Sequence, residues 1–125
     1  MCRKIIIVTI IFILLDAIYL NFTRFITVPM IEKIQHSPIN INLFSLIMVY
    51  IFDIFVLYYF IIYKNLSLFE AFLLGICIYG IYEFTNKSIF TKWNYPLVII
   101  DTLWGGILFL STTFFSRLFF KNKVF

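Results

Sequence analysis

The sequence predicts an all-α integral membrane protein. It reads as one transmembrane domain over residues 1–125, a four-helix bundle with a short interfacial helix after the first span. Three observations predict this. Of 125 residues, 63% are hydrophobic and only 13% are charged, whereas a soluble domain carries about 45–50% apolar and about 25% charged residues. At about 20 residues per span, the chain has room for four crossings and little else. Four long apolar runs stand between short polar connections, at roughly 5–23, 42–63, 66–86 and 95–116. The runs are apolar on both alternations and longer than the ~10 residues of a barrel strand, so they are helices. Disorder is excluded as well, because it needs low hydrophobicity and high charge.

The first run follows Arg3 and Lys4. A charged start before an apolar run is also the form of a signal peptide. Asn21-Phe22-Thr23-Arg24 offers no small-residue cleavage site, so the run reads as a retained span. The segment from Arg24 to Ile41 is more mixed, with Pro29 and Pro38 bracketing Met30 to His36. Pro suits a first helical turn, and Met30, Ile31 and Ile34 share one face, which predicts the interfacial helix. The second span, Asn42 to Tyr63, ends at Lys64-Asn65, and the third begins at Leu66. So tight a link predicts an antiparallel hairpin. Lys87 to Asn94 forms the next connection, and the fourth span runs from Tyr95 to Ser116. Tyr63, Trp93 and Tyr95 fall at the predicted interfaces, where aromatic rings prefer to sit.

The net charge is +4. Lys and Arg flank the runs and form no basic face, so the expected partner is the lipid bilayer and not nucleic acid. Arg3, Lys4, Lys64, Arg117, Lys121 and Lys123 fall on the side of the termini; Arg24, Lys33, Lys87 and Lys92 fall on the other. That bias predicts cytosolic termini. Cys2 lies at the N-terminus and Cys77 within an apolar run. They are a poor disulfide pair and no metal motif; Cys2 is a candidate for palmitoylation. Ile, Phe, Asn, Lys and Tyr are abundant and Ala occurs only at 17 and 71. That is the usage of an AT-rich genome, such as that of a bacterium or a large DNA virus.

The six acids are the scarce element of this composition. Glu32 is in a connection and Glu70 is near the start of the third span. The other four are deeper, one per span: Asp16, Asp53, Glu83 and Asp101. An Asp at a helix centre costs about 2.5–3.5 kcal/mol on insertion scales and normally faces the bundle interior. By helical rise, Asp16, Glu83 and Asp101 fall toward the same end, that of the first and third connections, while Asp53 is near the middle. Helical spacing puts Tyr19 on the stripe of Asp16, Tyr79 and Asn86 on that of Glu83, and Trp104 and Gly105 on that of Asp101. Gly80 and Gly105 are expected to let neighbouring helices approach closely. The stripes are therefore expected to converge on one interior pocket walled by Tyr and Trp.

No Lys or Arg lies inside any of the four runs. Lys87 is the nearest expected counter-charge, one turn beyond Glu83. Burial without a counter-charge disfavours the ionised form, so at least one acid is expected to be protonated near neutral pH. His36, the single histidine, reads as a solvated connection residue. No zinc motif or nucleophile elbow occurs, and no cofactor or metal is expected.

The same motifs resemble a known family. Asp16-Ala17-Ile18-Tyr19-Leu20 is similar to an Asp-x-x-Trp-Leu element in span one of the predicted membrane proteins called domain of unknown function 2177. Tyr79-Gly80-Ile81-Tyr82-Glu83-Phe84-Thr85-Asn86 resembles that family's Tyr-x-x-Tyr-Asp-x-Thr-Asn element. Trp93 and Asp101-Thr102-Leu103-Trp104-Gly105 follow in the family's order. Tyr19 stands where the family has Trp, and Glu83 where it has Asp. The resemblance implies shared four-span architecture and a shared polar site, and carries no activity with it.

The function expected from these residues is to bind or translocate a proton, a cation or a small polar molecule. Asp16, Glu83 and Asp101 are the expected binding or proton-exchanging groups, with Asp53 as a mid-membrane relay. Tyr19, Tyr79, Tyr82, Asn86 and Trp104 are expected to orient them. Four helices enclose little volume, so translocation calls for a homo-oligomer. Two rivals stand beside this reading. A structural or assembly protein would show stability effects and no flux. A membrane-embedded acid/base enzyme would need paired acids and a lateral opening.

Overall fold

The computed structural model describes residues 2–122; Lys123, one of the predicted flanking charges, lies outside them. Every long element is a helix: α1 (Cys2–Gln35), α2 (Leu43–Leu57), α3 (Leu68–Ile89) and α4 (Tyr95–Asn122). A single π-helical turn, Tyr58–Ile62, extends α2. With that turn included, all four helices are long and apolar enough to cross a membrane.

α1 has 34 residues, about 50 Å at the helical rise, against a hydrocarbon core of about 30 Å. The interfacial segment is helical as expected, and it continues α1 without a break. Pro29 sits inside the helix and leaves the Phe25 carbonyl without its usual donor. The extension persists because its apolar face has somewhere to land: Ile26, Met30, Ile31 and Ile34 pack on Trp93, Leu97 and Val98. His36 ends the rod in the left-handed region, at φ 57°, where a helix commonly stops.

Local chemistry sets the other ends. Asn42 caps α2 by accepting from the Ser45 amide at 3.0 Å, a cap typically worth about 1 kcal/mol. Ser67 and Glu70 form a reciprocal capping box at the start of α3, so Glu70 is spent on helix initiation. Asn94 accepts from the Leu97 amide at 2.8 Å at the start of α4.

The widest interface is α3 on α4, followed by α1 on α4; α2 is held to α1 more thinly. Glycines explain the first. A Cβ on Gly75 would overlap the backbone carbonyl of Gly105, and one on Gly106 would meet the Phe72 ring at 2.7 Å. Gly80 differs from expectation: a Cβ there would meet only the Thr102 methyl, at 3.4 Å. The close approach therefore runs through Gly75, Gly105 and Gly106. The tight link between α2 and α3 is present, but α4 is the main partner of α3 because the glycines face it.

The interior is layered. Val8, Phe12, Leu57, Ile61, Ala71, Leu108 and Phe109 form an apolar layer toward the termini. Met30, Trp93, Leu97 and Val98 form a second layer at the opposite end. The intramembrane acids occupy the level between them. The outward surface is the reverse of a soluble protein's, with large side chains such as Ile6, Leu14, Phe22, Phe52 and Phe84 exposed. Lys4 lies over the Phe120 ring at 5.3 Å, and the Arg117 guanidinium donates to the Leu66 carbonyl. Both contacts tie the terminal end of the bundle together.

Candidate functional site

Three helices meet at Asp16, which is 7% exposed. Its Oδ2 accepts from the Tyr50 hydroxyl of α2 at 2.7 Å. Its Oδ1 accepts from the Trp104 indole of α4 at 3.0 Å. Both carboxylate oxygens are thus held by neutral donors from different helices. Asp16 projects here because it follows Val8 and Phe12 on the buried stripe of α1, two turns and one turn back respectively.

The Trp104 ring links Asp16 to the second carboxyl group. Tyr19 stacks on it with centroids 4.5 Å apart and planes within 7°. The Tyr19 hydroxyl then donates to Asp101. Offset stacking of this kind contributes about 0.5–1.5 kcal/mol beyond area burial. It also fixes the Tyr19 ring and so aims its hydroxyl at Asp101.

Glu83 is 1% exposed. Its Oε2 accepts from the Trp93 indole at 2.7 Å, and its carboxyl group lies beside that of Asp101. Asp101 is only half-buried, so the pair has one sealed and one accessible member. An ionised carboxylate is an acceptor only, so two carboxyl groups side by side can bond directly only when one of them carries a proton. Asp53, 9% exposed, lies nearer the terminal layer. It accepts from the Tyr79 hydroxyl at 3.3 Å, a longer bond than the others.

Of the residues singled out by sequence, Asp16, Tyr19, Glu83, Asp101 and Trp104 form one connected network, and Asp53 with Tyr79 forms a neighbouring pair. Tyr82 and Asn86 stand apart. Tyr82 is 57% exposed, with its hydroxyl near the Asn86 side chain. Lys87 does not turn back to Glu83: it donates to the Thr91 carbonyl at 3.1 Å and lies over the Tyr95 ring at 4.7 Å. Its long stem reaches the helix end and the carbonyls there, where a cation is favoured.

Sequence reasoning missed two members. Tyr50 belongs to no motif; its one signal was lying a turn before Asp53. Trp93 has an interface position and a place in the family's motif order as its signals, and the structure adds that it is 7% exposed and bound to Glu83. Among the described residues, no group of three or more His, Cys, Asp or Glu side chains is arranged to hold a metal ion.

Comparison with curated proteins and with solved structures finds no match. A family model does match, over residues 1–118, a stretch that holds every acid and aromatic side chain of the network. Its description is that of a predicted membrane protein, in keeping with the four apolar helices. The chain belongs to the family of predicted membrane proteins called domain of unknown function 2177.

Proposed function

We propose that the Glu83–Asp101 pair is an intramembrane proton-exchange site, and that the protein binds a proton there and passes it on. The observation that carries this reading is the placing of two carboxyl groups side by side with neutral donors around them. Its surroundings support it. No Lys or Arg lies inside the apolar runs, and the donors around the pair, Tyr19 and Trp93, are neutral. Asp101 is the member open to exchange and Glu83 the sealed one. Asp53 is the relay toward the terminal end. With cytosolic termini, the pair faces the non-cytosolic side. The apolar layer around Phe12, Leu57 and Phe109 interrupts any path through one bundle, so conduction runs through a homo-oligomer or a rearranged bundle.

The test is proton flux into liposomes that enclose a pH-sensitive dye. Wild-type protein is expected to raise flux above that of empty liposomes. Asp101→Asn keeps an acceptor for Tyr19 but cannot exchange a proton, and is expected to lower the protein-dependent flux by about tenfold or more, within the range for loss of a positioned acid or base. Wild-type flux equal to that of empty liposomes would overturn the reading. Infrared difference spectroscopy gives a second check. A protonated-carboxyl C=O band is expected at neutral pH and should shift in Asp101→Asn, which changes the group beside Glu83.

One observation favours a structural role beside this one. Asp16 accepts from α2 and α4 at once, as a helix-tying group would. In that reading, acid substitutions alter stability and leave flux at background.

A further inference from the structure

Beyond the proton reading, and using neither member of its carboxyl pair, a groove between α1 and α2 has a second capacity. It has a volume of about 430 Å³ and is lined by Ile5 and Ile13 of α1 and by Ile47, Tyr50, Ile51 and Ile54 of α2. α2 is thinly held to α1, and both helices expose large apolar side chains outward. The groove therefore faces hydrocarbon.

Asp16 follows Ile13 by one turn of α1. Tyr50 joins groove to acid: it lines the groove, and its hydroxyl occupies Asp16 Oδ2 at 2.7 Å. We propose that this groove is a lateral binding site for an amphipathic amine. The hydrocarbon body of the amine lies along the isoleucines. Its ammonium takes Asp16 Oδ2 in place of the Tyr50 hydroxyl, while Trp104 keeps its bond to Oδ1.

Charge complementarity selects this occupant. Asp16 has two acceptor oxygens and only neutral donors, and an ammonium would replace one neutral donor by a cation and so pair the carboxylate with an opposite charge in a medium of low dielectric. The displaced Tyr50 ring remains beside the ammonium and adds a cation–π contact. A lipid acyl chain would fit the apolar wall but would not engage the acid. An anionic amphiphile would place like charges together.

The test titrates octylamine, octanol and octyl sulfate into phosphatidylcholine vesicles carrying the protein, and follows tryptophan emission, since Trp104 bonds to the same carboxylate. Octylamine is expected to give a saturable change, octanol a response about tenfold or more weaker, and octyl sulfate none. Asp16→Asn should weaken octylamine by about tenfold or more and leave octanol unchanged, in line with loss of a charge-assisted bond. Tyr50→Phe removes the internal competitor for Oδ2 and should tighten octylamine. Should Asp16→Asn fail to fold, Ile51→Trp fills the groove from outside the acid network and should abolish saturable binding. Equal responses to octylamine and octanol, or octylamine binding unaffected by Asp16→Asn or by Ile51→Trp, would overturn the proposal and leave the groove as a resting place for lipid chains.

Discussion

Gly75→Val is expected to destabilise the bundle by about 3 kcal/mol or more, at or above the upper end for overpacking a close-packed interior. The reason lies in what the new side chain would meet. A Cβ at position 75 runs into the carbonyl of Gly105, with the Gly105 carbonyl carbon at 2.6 Å and Gly106 Cα at 3.0 Å. These are backbone atoms, so no rotamer change relieves the overlap. α4 would have to move away from α3 as a body. That movement also carries Asp101 away from Glu83 and Trp104 away from Asp16, so the substitution should abolish any proton flux. Gly80→Ala is the control, on the same helix. Its Cβ would find ordinary contact at 3.4 Å, and alanine gains about 1 kcal/mol of helix propensity over glycine. It should be neutral or stabilising. Unfolding by denaturing detergent, followed by tryptophan emission, measures both. Comparable losses for the two variants would refute the assignment of the close approach to Gly75.

The contrast between the two glycines marks where the sequence stops being informative. Composition and run length carried the helix count and the span positions, because a bilayer forces one solution on long apolar runs. The convergence of Asp16, Glu83 and Asp101 was legible too, since charged groups in hydrocarbon must face inward. Which glycine touches which helix was not legible, because that depends on how α3 and α4 are rotated against each other. Tyr82 shows the same limit: it neighbours Glu83 in sequence, yet a helix turns adjacent residues by about 100° and so carries it outward. Trp93 carries a second role that its place beside a span does not announce. Aromatic residues beside a span usually anchor the interface. This one also finds an acceptor in Glu83 and an apolar floor in Met30, Leu97 and Val98. Met30 reaches that floor because α1 runs on past Pro29.

Asp16→Leu is the second change expected to act strongly, and it separates the two roles open to the acids. Leucine fills much of the space but accepts nothing. The Tyr50 hydroxyl and the Trp104 indole would both lose their acceptor in part-buried surroundings. A buried donor without a partner costs about 1–3 kcal/mol, while interhelical hydrogen bonds within membranes average about 0.6 kcal/mol and reach about 1.7 kcal/mol. Two such bonds therefore set an expected loss of about 1–3 kcal/mol. Asp16→Asn retains the oxygen that Trp104 uses and should lose about half as much by the same per-bond values. The Glu83–Asp101 pair lies on different side chains, reached from Asp16 only through the Trp104–Tyr19 stack. Under the proton reading, then, Asp16→Asn should leave flux within about twofold of wild type, while Asp101→Asn removes it with little change in stability. If flux instead follows stability across both variants, the acids are tying helices together and the pair is not an exchange site. The dissociation of the two readouts is the stronger discriminator, because a merely structural network has no reason to place its flux defect at Asp101 and its stability defect at Asp16.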